Sequence, residues 1–320
     1  MGGLALCFLL SLSAGKLWLG ELLVHFMSQY LWIAAILFCF ALYIRHIALS
    51  CAGAILTIAS LAFILWSNGQ TASFTKDGIY EASFTLASYN KYYANPNGKR
   101  ISKWLRQDDA PDILVIHEIG ADEVEPLIKD NPDYPYTALM NGTKYPRNRS
   151  LLLSRFPVQD AKVKAFTSGD AEREYLKAKI VPPQKLGLPA FTLFVMHPKT
   201  PLYPENRIVR NDEFAKVAED AAKTEGPVVI AGDMNCTSFS PAFKDFSNKA
   251  KVRFITSTVV PEPSWPAQLI LAPFQIRIDH ILVSDDLQAS EMKRLPAMDS
   301  DHYPIEVRLH PAPPSAEKRQ

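Results

Sequence analysis

Cysteine is scarce in this chain, and long basic runs and internal repeats are missing altogether. Of four cysteines, Cys7, Cys39 and Cys51 lie in apolar N-terminal stretches, which leaves Cys236 alone in the remainder. No disulfide can therefore brace that remainder. No Lys/Arg run exceeds two residues, and the formal net charge is +1. Residues 1–75 hold two basic groups, Lys16 and Arg45, and one acidic, Glu21, so the later part is nearly neutral. A non-specific polyanion binder carries a basic stripe; nucleic acid is disfavoured as a partner unless charge is locally asymmetric. The absence of repeats excludes stacked arrays.

What the chain does have is apolar residues, 48% of its 320, concentrated in the first 68. Residues 47–66 form an uncharged run long enough to cross about 30 Å of hydrocarbon as a helix. Residues 28–44 form a second run, with Tyr30, Trp32 and Tyr43 where interfacial aromatics belong, and only Arg45-His46 separates the two. Together they predict a tight helical hairpin. Residues 3–24 form a weaker first span, interrupted by Lys16 and Glu21; without a basic n-region they read as an uncleaved helix rather than a signal peptide. Arg45 on the cytoplasmic side would deliver the rest of the chain outside the cytosol. The expected organisation is a membrane anchor with about three transmembrane helices over 1–68, a linker over 69–82, a catalytic domain over 83–310 and a disordered tail over 311–320.

The domain alternates strand and helix signals. Short apolar runs predict buried strands over 84–89, 113–116, 151–153, 191–196, 228–230 and 305–309. Ile101, Trp104 and Leu105 share a helical face, as do Phe214, Val217, Ala218 and Ala221, whose spacing predicts an amphipathic helix over 205–224. Residues 259–273 are Pro-rich and read as a loop whose Trp265 is foremost structural, with dipping toward lipid or shaping the substrate pocket as the alternative readings.

Polar groups collect where these strands end. Asn90 closes the first, Glu118 follows the second, His197 the fourth, and Asp233 and Asn235 the fifth. Asp279, Asp301 and His302 come later. Cleaving a phosphate ester needs a cation to neutralise phosphoryl oxygens, a base for water and a proton donor for the leaving oxygen. Hard Mg²⁺ prefers carboxylate, amide and water oxygens, a role suited to Glu118 and Asp301 with Asn90 as a neutral neighbour. Asp233 and Asn235, two apart on an extended segment, would face one phosphate, the carboxylate orienting water and the amide donating; an Asp/Asn turn is the rival reading. His302 needs an acceptor to set its tautomer, and Asp279 is the natural partner. His197 could bind phosphate or protonate the leaving group. Cys236, directly after this cluster, reads as a packed thiol rather than a nucleophile.

Ser-Tyr-Asn90, Ile-His-Glu118, Leu-Leu-Ser154-Arg155, Met-His197, Gly-Asp233-Met-Asn235, Ile-Asp279-His-Ile and Ser-Asp301-His302, in that order, resemble the endonuclease/exonuclease/phosphatase superfamily. The resemblance implies an α/β (α+β) four-layer sandwich, two mixed β-sheets flanked by helices, here preceded by N-terminal transmembrane helices. It implies Glu118 as the main Mg²⁺ ligand with Asn90 and Asp301 nearby, and Mn²⁺ as an alternative ion. It further implies Asp233 aligning the nucleophile, Asn235 and His197 on the phosphate, and Asp279 with His302 at the reacting group. Two positions depart from the family: His117 stands where a Gln commonly precedes the metal Glu, and Tyr92 where nucleases often carry an acid. Arg210 matches an arginine of the family that is structural. The apolar spans resemble a bacterial membrane-anchored subgroup, some of whose members are linked to glycopeptide resistance and lipid-carrier pyrophosphate hydrolysis.

The expected activity is that of a metal-dependent phosphoesterase, a phosphatase or phosphodiesterase acting on lipid-linked or small phosphate substrates. Its expected location is the bacterial inner (cytoplasmic) membrane, multi-pass, with the domain on the periplasmic or extracellular side. One alternative is a tethered extracytoplasmic nuclease, which needs a basic rim around the site. The other is a non-catalytic envelope binding protein on the same fold.

Overall fold

A computed structural model describes residues 1–69, 71–72, 82–95, 98–142 and 149–313. Most of the expected linker and residues 314–320 of the expected tail lie outside the described residues.

Four helices come first: α1 (Gly2–Ser11), α2 (Trp18–Val24), α3 (Met27–Tyr43) and α4 (Ile47–Asn68). The stretch 3–24 is therefore not the single helix expected. It breaks after Ser11, and Gly15 takes a left-handed φ of 88° in the connection. Among the described residues α4 alone is long and apolar enough to cross a membrane by itself, and α2 and α3 together qualify as a pair bent by 65°. α3 and α4 pack as the expected hairpin, so closely that a Cβ at Gly53 would lie 2.8 Å from the Phe38 Cα. The far end of that hairpin is bare of protein contacts, with Tyr43 84% and Ile47 80% exposed.

The domain contains β1 (Phe84–Asn90), α5 (Gly98–Leu105), β2 (Ile113–His117), α6 (Ala121–Asp130), β3 (Tyr136–Met140) and β4 (Ser150–Ser154). There follow β5 (Val158–Ser168), β6 (Ala171–Ile180), β7 (Phe191–Val195), α7 (Pro204–Ala222), β8 (Val228–Asp233) and α8 (Pro241–Ala250). The last strands are β9 (Arg253–Phe254), β10 (Asp279–Val283), β11 (Leu287–Arg294) and β12 (Ile305–Pro311). They form two six-stranded sheets, ordered β11-β12-β1-β2-β4-β3 and β5-β6-β7-β8-β10-β9. Both are mixed: β1 with β2 and β7 with β8 run parallel, the other pairs antiparallel.

Strand alternation decides which side chains meet between the sheets. Leu86, Val115, Leu193 and Ile281 interleave there, while Ala87, Tyr89 and Leu114 face outward against α5 and α6. On the opposite outer face α7 and α8 cover Phe194, Ile230 and Leu282 with Phe214, Val217 and Phe246. The result is the four-layer sandwich expected, and Trp104 sits in its core. The β5–β6 hairpin, largely polar in sequence, and β3, whose first two residues are exposed, were not foreseen.

The N-terminal helices are joined to the domain through charge as well as apolar packing. Arg210 on α7 is fully buried; its Nη2 donates to Glu21 Oε1 at 2.7 Å and its Nη1 to Cys236 Sγ at 3.3 Å. Ser240 Oγ donates to the same Glu21 oxygen at 2.6 Å. Farther out, Lys244 on α8 lies 3.3 Å above the Trp66 ring near the end of α4.

Removing one partner of a buried ion pair strands the other charge, at about 3–5 kcal/mol. Glu21→Ala is therefore expected to destabilise the full chain by about that amount, read from denaturant midpoints in detergent. His280 supplies a second test. Burial, aided by the Arg277 charge, pulls its pKa down to about 3. The folded protein thus keeps this ring neutral while the unfolded chain takes a proton below about 6.5. Stability from this group is complete above that pH and drains away as pH falls toward 3, by up to about 1.4 kcal/mol per unit. His280→Gln is expected to flatten the acid limb of stability against pH by one proton.

Candidate active site

The carboxyl ends of β1, β2, β7 and β8 meet over the gap between the sheets, and the polar residues that follow them converge there. Cross-strand register assists: Asp279 lies opposite Asp233, and Asn90 opposite His117. Gly232 permits the convergence. A Cβ there would lie 1.9 Å from the Met196 carbonyl oxygen, so only glycine lets the chain leading to His197 pass this close to β8.

Asp233 is the hub and is almost wholly buried. Its Oδ2 accepts from Asn90 Nδ2 at 3.0 Å and lies 3.5 Å from His197 Nε2 and 3.7 Å from His302 Nε2. Its Oδ1 accepts from the Asn235 backbone N–H at 2.9 Å. Burial alone would raise this carboxyl's pKa; His302, His197 and the Asn235 amide outweigh burial and hold it well below the ordinary carboxylate range. His302 Nδ1 is 2.8 Å from Asp279 Oδ2, the expected dyad. Burial pulls against the charged imidazole, but the Asp279 and Asp233 carboxylates prevail and lift it to about 10. His197 moves the same way: burial opposes, while Asp233 and Glu118, the latter 3.7 Å away, raise it.

Glu118 Oε1 accepts from Asn90 Nδ2 at 3.1 Å and Oε2 from the Tyr93 N–H at 3.1 Å. Asp301 Oδ2 accepts from Trp265 Nε1 at 3.1 Å, while its Oδ1 is buried with no hydrogen-bond partner among the described residues. Glu118 and Asp301 both line one cavity of about 600 Å³ with Asp233, Asn235, His197 and His302. An orphaned carboxylate oxygen beside a second carboxylate fits a hard divalent cation. Asn90 Nδ2 bridges Glu118 and Asp233, and its Oδ1 accepts from the Tyr92 N–H at 2.9 Å, which leaves one lone pair of that oxygen for a cation.

Asn235 departs from expectation. Instead of continuing an extended strand, it takes a left-handed φ of 47°, and the Asp233 side chain caps its N–H: the Asp/Asn turn. Both residues still line the cavity, but Asn235 Nδ2 is engaged with the Pro198 carbonyl at 3.0 Å, tying down the loop after His197. Glu118 (φ 58°) and Tyr92 (φ 61°) are likewise held in the left-handed region, where non-glycine residues collect at functional sites. Cys236 is a packed thiol, pushed up to about 11 by burial, which leaves it no nucleophilic role.

Several supporting residues had no sequence signal. Arg173 on β6 donates to the His197 carbonyl at 2.6 Å and pairs with buried Glu213 at 2.9 Å. Ser264 Oγ accepts from the Asp279 N–H at 3.0 Å. Ser300 Oγ donates to the Asn90 carbonyl at 2.7 Å and accepts from the His302 N–H at 3.0 Å, joining first strand to last loop. The nearest hint was the Trp265 loop, whose indole forms one wall and anchors Asp301.

Solved structures share this architecture. An endonuclease/exonuclease/phosphatase from Beutenbergia cavernae superposes with a TM-score of 0.60 at 18% identity, over 72% of this chain and 72% of that one. D. rerio TDP2 complexed with single strand DNA product gives 0.60 at 14% identity, over 72% and 99%. A Staphylococcus aureus beta toxin mutant with bound magnesium ions gives 0.54 at 17%, over 70% and 99%. At such identities the likeness shows the fold alone. No curated protein matches the sequence. The Endonuclease/Exonuclease/phosphatase family does match, over residues 81–302, which is the domain from just before β1 to the His302 of the cavity, and the chain belongs to that family.

Proposed function

We propose that the protein is a membrane-tethered, Mg²⁺-dependent phosphoric ester hydrolase. The observation that supports this most is the convergence of Asn90, His197 and His302 on the Asp233 carboxylate, in a cavity that Glu118 and Asp301 also line. Asp233, kept ionised, orients the attacking water and accepts its hydrogen bond. The His197 and His302 rings, each shifted toward the charged form by its carboxylate neighbours, counter charge on the phosphoryl oxygens. His302, locked in orientation by Asp279, hands a proton to the leaving oxygen. Mg²⁺, with Mn²⁺ as the alternative, would be held by Glu118 and Asp301 and would neutralise the phosphoryl oxygens when bound.

A nuclease is the second reading, favoured by the DNA product in D. rerio TDP2. Against it, Lys199 is the single Lys or Arg among the described residues lining the cavity, which is a poor rim for a polyanion. A non-catalytic binding role leaves the orphaned Asp301 oxygen and the strained Glu118 without purpose. The anchor is read from α4 and the bent α2–α3 pair, with the α3–α4 turn at Arg45 in the cytosol and the domain outside it.

With full-length protein in detergent, Asp233→Ala is expected to lower kcat/KM for phosphate diesters by about 10²–10⁴-fold. A wild type that nicks DNA but leaves small phosphate diesters uncleaved would reverse the order of the two readings. Calorimetric titration is expected to find Mg²⁺ binding that Glu118→Gln weakens by about tenfold or more. Protease added to spheroplasts is expected to digest the domain; protection there, with digestion after lysis, would place it in the cytosol.

A further inference from the structure

The cavity has two unlike faces. Carboxylates and imidazoles make one, and the other is apolar and comes partly from outside the domain: Leu22 on α2 and Phe26 at the α2–α3 bend line it with Ile276 and Ile278. A second cavity of about 360 Å³ adjoins the first, with His25 and Ile276 lining both. It runs between α3, through Trp32, Ile33 and Ile36, and the Pro-rich segment through Val260 and Pro273. Beside it a short 3₁₀ helix, Leu269–Phe274, leaves Leu269 and Ile270 each 87% exposed.

Water in an apolar groove of this kind is readily displaced by hydrocarbon, and each buried methylene contributes about 0.8 kcal/mol. The second cavity shares the His25 and Ile276 wall with the catalytic cavity and lies along the mostly apolar helix α3. A chain leaving a phosphate bound at His197 and Asp233 would pass that shared wall to reach it. Other clusters carry less. Glu21, His25 and Cys236 approach one another closely enough to hold a metal, but the Arg210 guanidinium already bonds Glu21 and Cys236.

We propose that the substrate is an amphiphilic phosphate ester whose hydrocarbon chain lies in the groove between α3 and residues 260–276, so that the N-terminal helices form part of the substrate site. This rests on the hydrolase reading above and selects within it. The reaction stays simple: water adds to phosphorus and passes a proton to Asp233, the ester P–O bond breaks, and the leaving oxygen takes a proton from His302. The chain contributes binding only.

The test uses full-length protein in detergent with Mg²⁺ and a series of p-nitrophenyl alkyl phosphodiesters, methyl, butyl and octyl, each below its micellar concentration. For the wild type, kcat/KM is expected to rise at least about tenfold from methyl to octyl, well within the gain that a few buried methylenes allow. Ile33→Trp, which fills the groove, is expected to bring the octyl-to-methyl ratio near one, and Ile33→Leu to keep it. Thermal unfolding of both variants checks that they are folded. Asp233-dependent hydrolysis with a flat chain-length series overturns the groove assignment and leaves the hydrolase reading standing. A ratio that survives Ile33→Trp in a folded variant places the chain elsewhere and also overturns it. If no member of the series is cleaved by the wild type, the hydrolase reading fails and the groove assignment with it.

Discussion

An ionised carboxylate buried between two sheets is the constraint on which the rest of the site depends. Asp233 is cut off from solvent, so its charge must be met by groups the fold brings to it. They come from far apart in the chain: Asn90 from β1, His197 after β7, the Asn235 amide from the adjoining turn and His302 from the loop before β12. Each of these groups is fixed in turn by a further partner. Asp279 holds His302, Arg173 the His197 backbone, and Ser300 both Asn90 and His302. Removing any one of them disturbs the solvation of a single charge.

Much of this could be read in the sequence because buried parallel strands announce themselves. Runs such as Ile113–Ile116 and Val228–Ile230 are apolar on both faces, and the polar residues just beyond each mark where the strand leaves the core. That rule located Asn90, Glu118, His197 and Asp233. It failed where polarity and burial part company. The β5–β6 hairpin carries charges along most of its length, so nothing marked Arg173 as the support of a site residue. Ser264 and Ser300 act through single hydroxyls that leave no pattern. Asn235 was placed correctly at the cavity but for the wrong local reason, since the side chain of Asp233 ends the strand by capping the next turn.

The N-terminal segment misled in a more instructive way. Lys16 and Glu21 looked like flaws in a membrane span. In the folded chain Glu21 is the mate of Arg210, and the break before α2 lets that carboxylate reach α7 and α8. Hydropathy ranks each residue against lipid or water and has no category for the inside of the same protein. The helices α2 and α3 thus belong partly to the domain, and the bend between them places Leu22 and Phe26 in a cavity wall.

The separation of that pair has a consequence for synthesis. Glu21 and Arg210 stand 189 residues apart, so the acid leaves the ribosome long before the base that neutralises it. Until α7 has been made, Glu21 is without the base that pairs with it in the finished chain. Seating of the first helices and folding of the domain therefore share one ion pair. A chain interrupted before Arg210 would leave the ribosome with Glu21 unmatched and its N-terminal helices lacking the contact that joins them to α7.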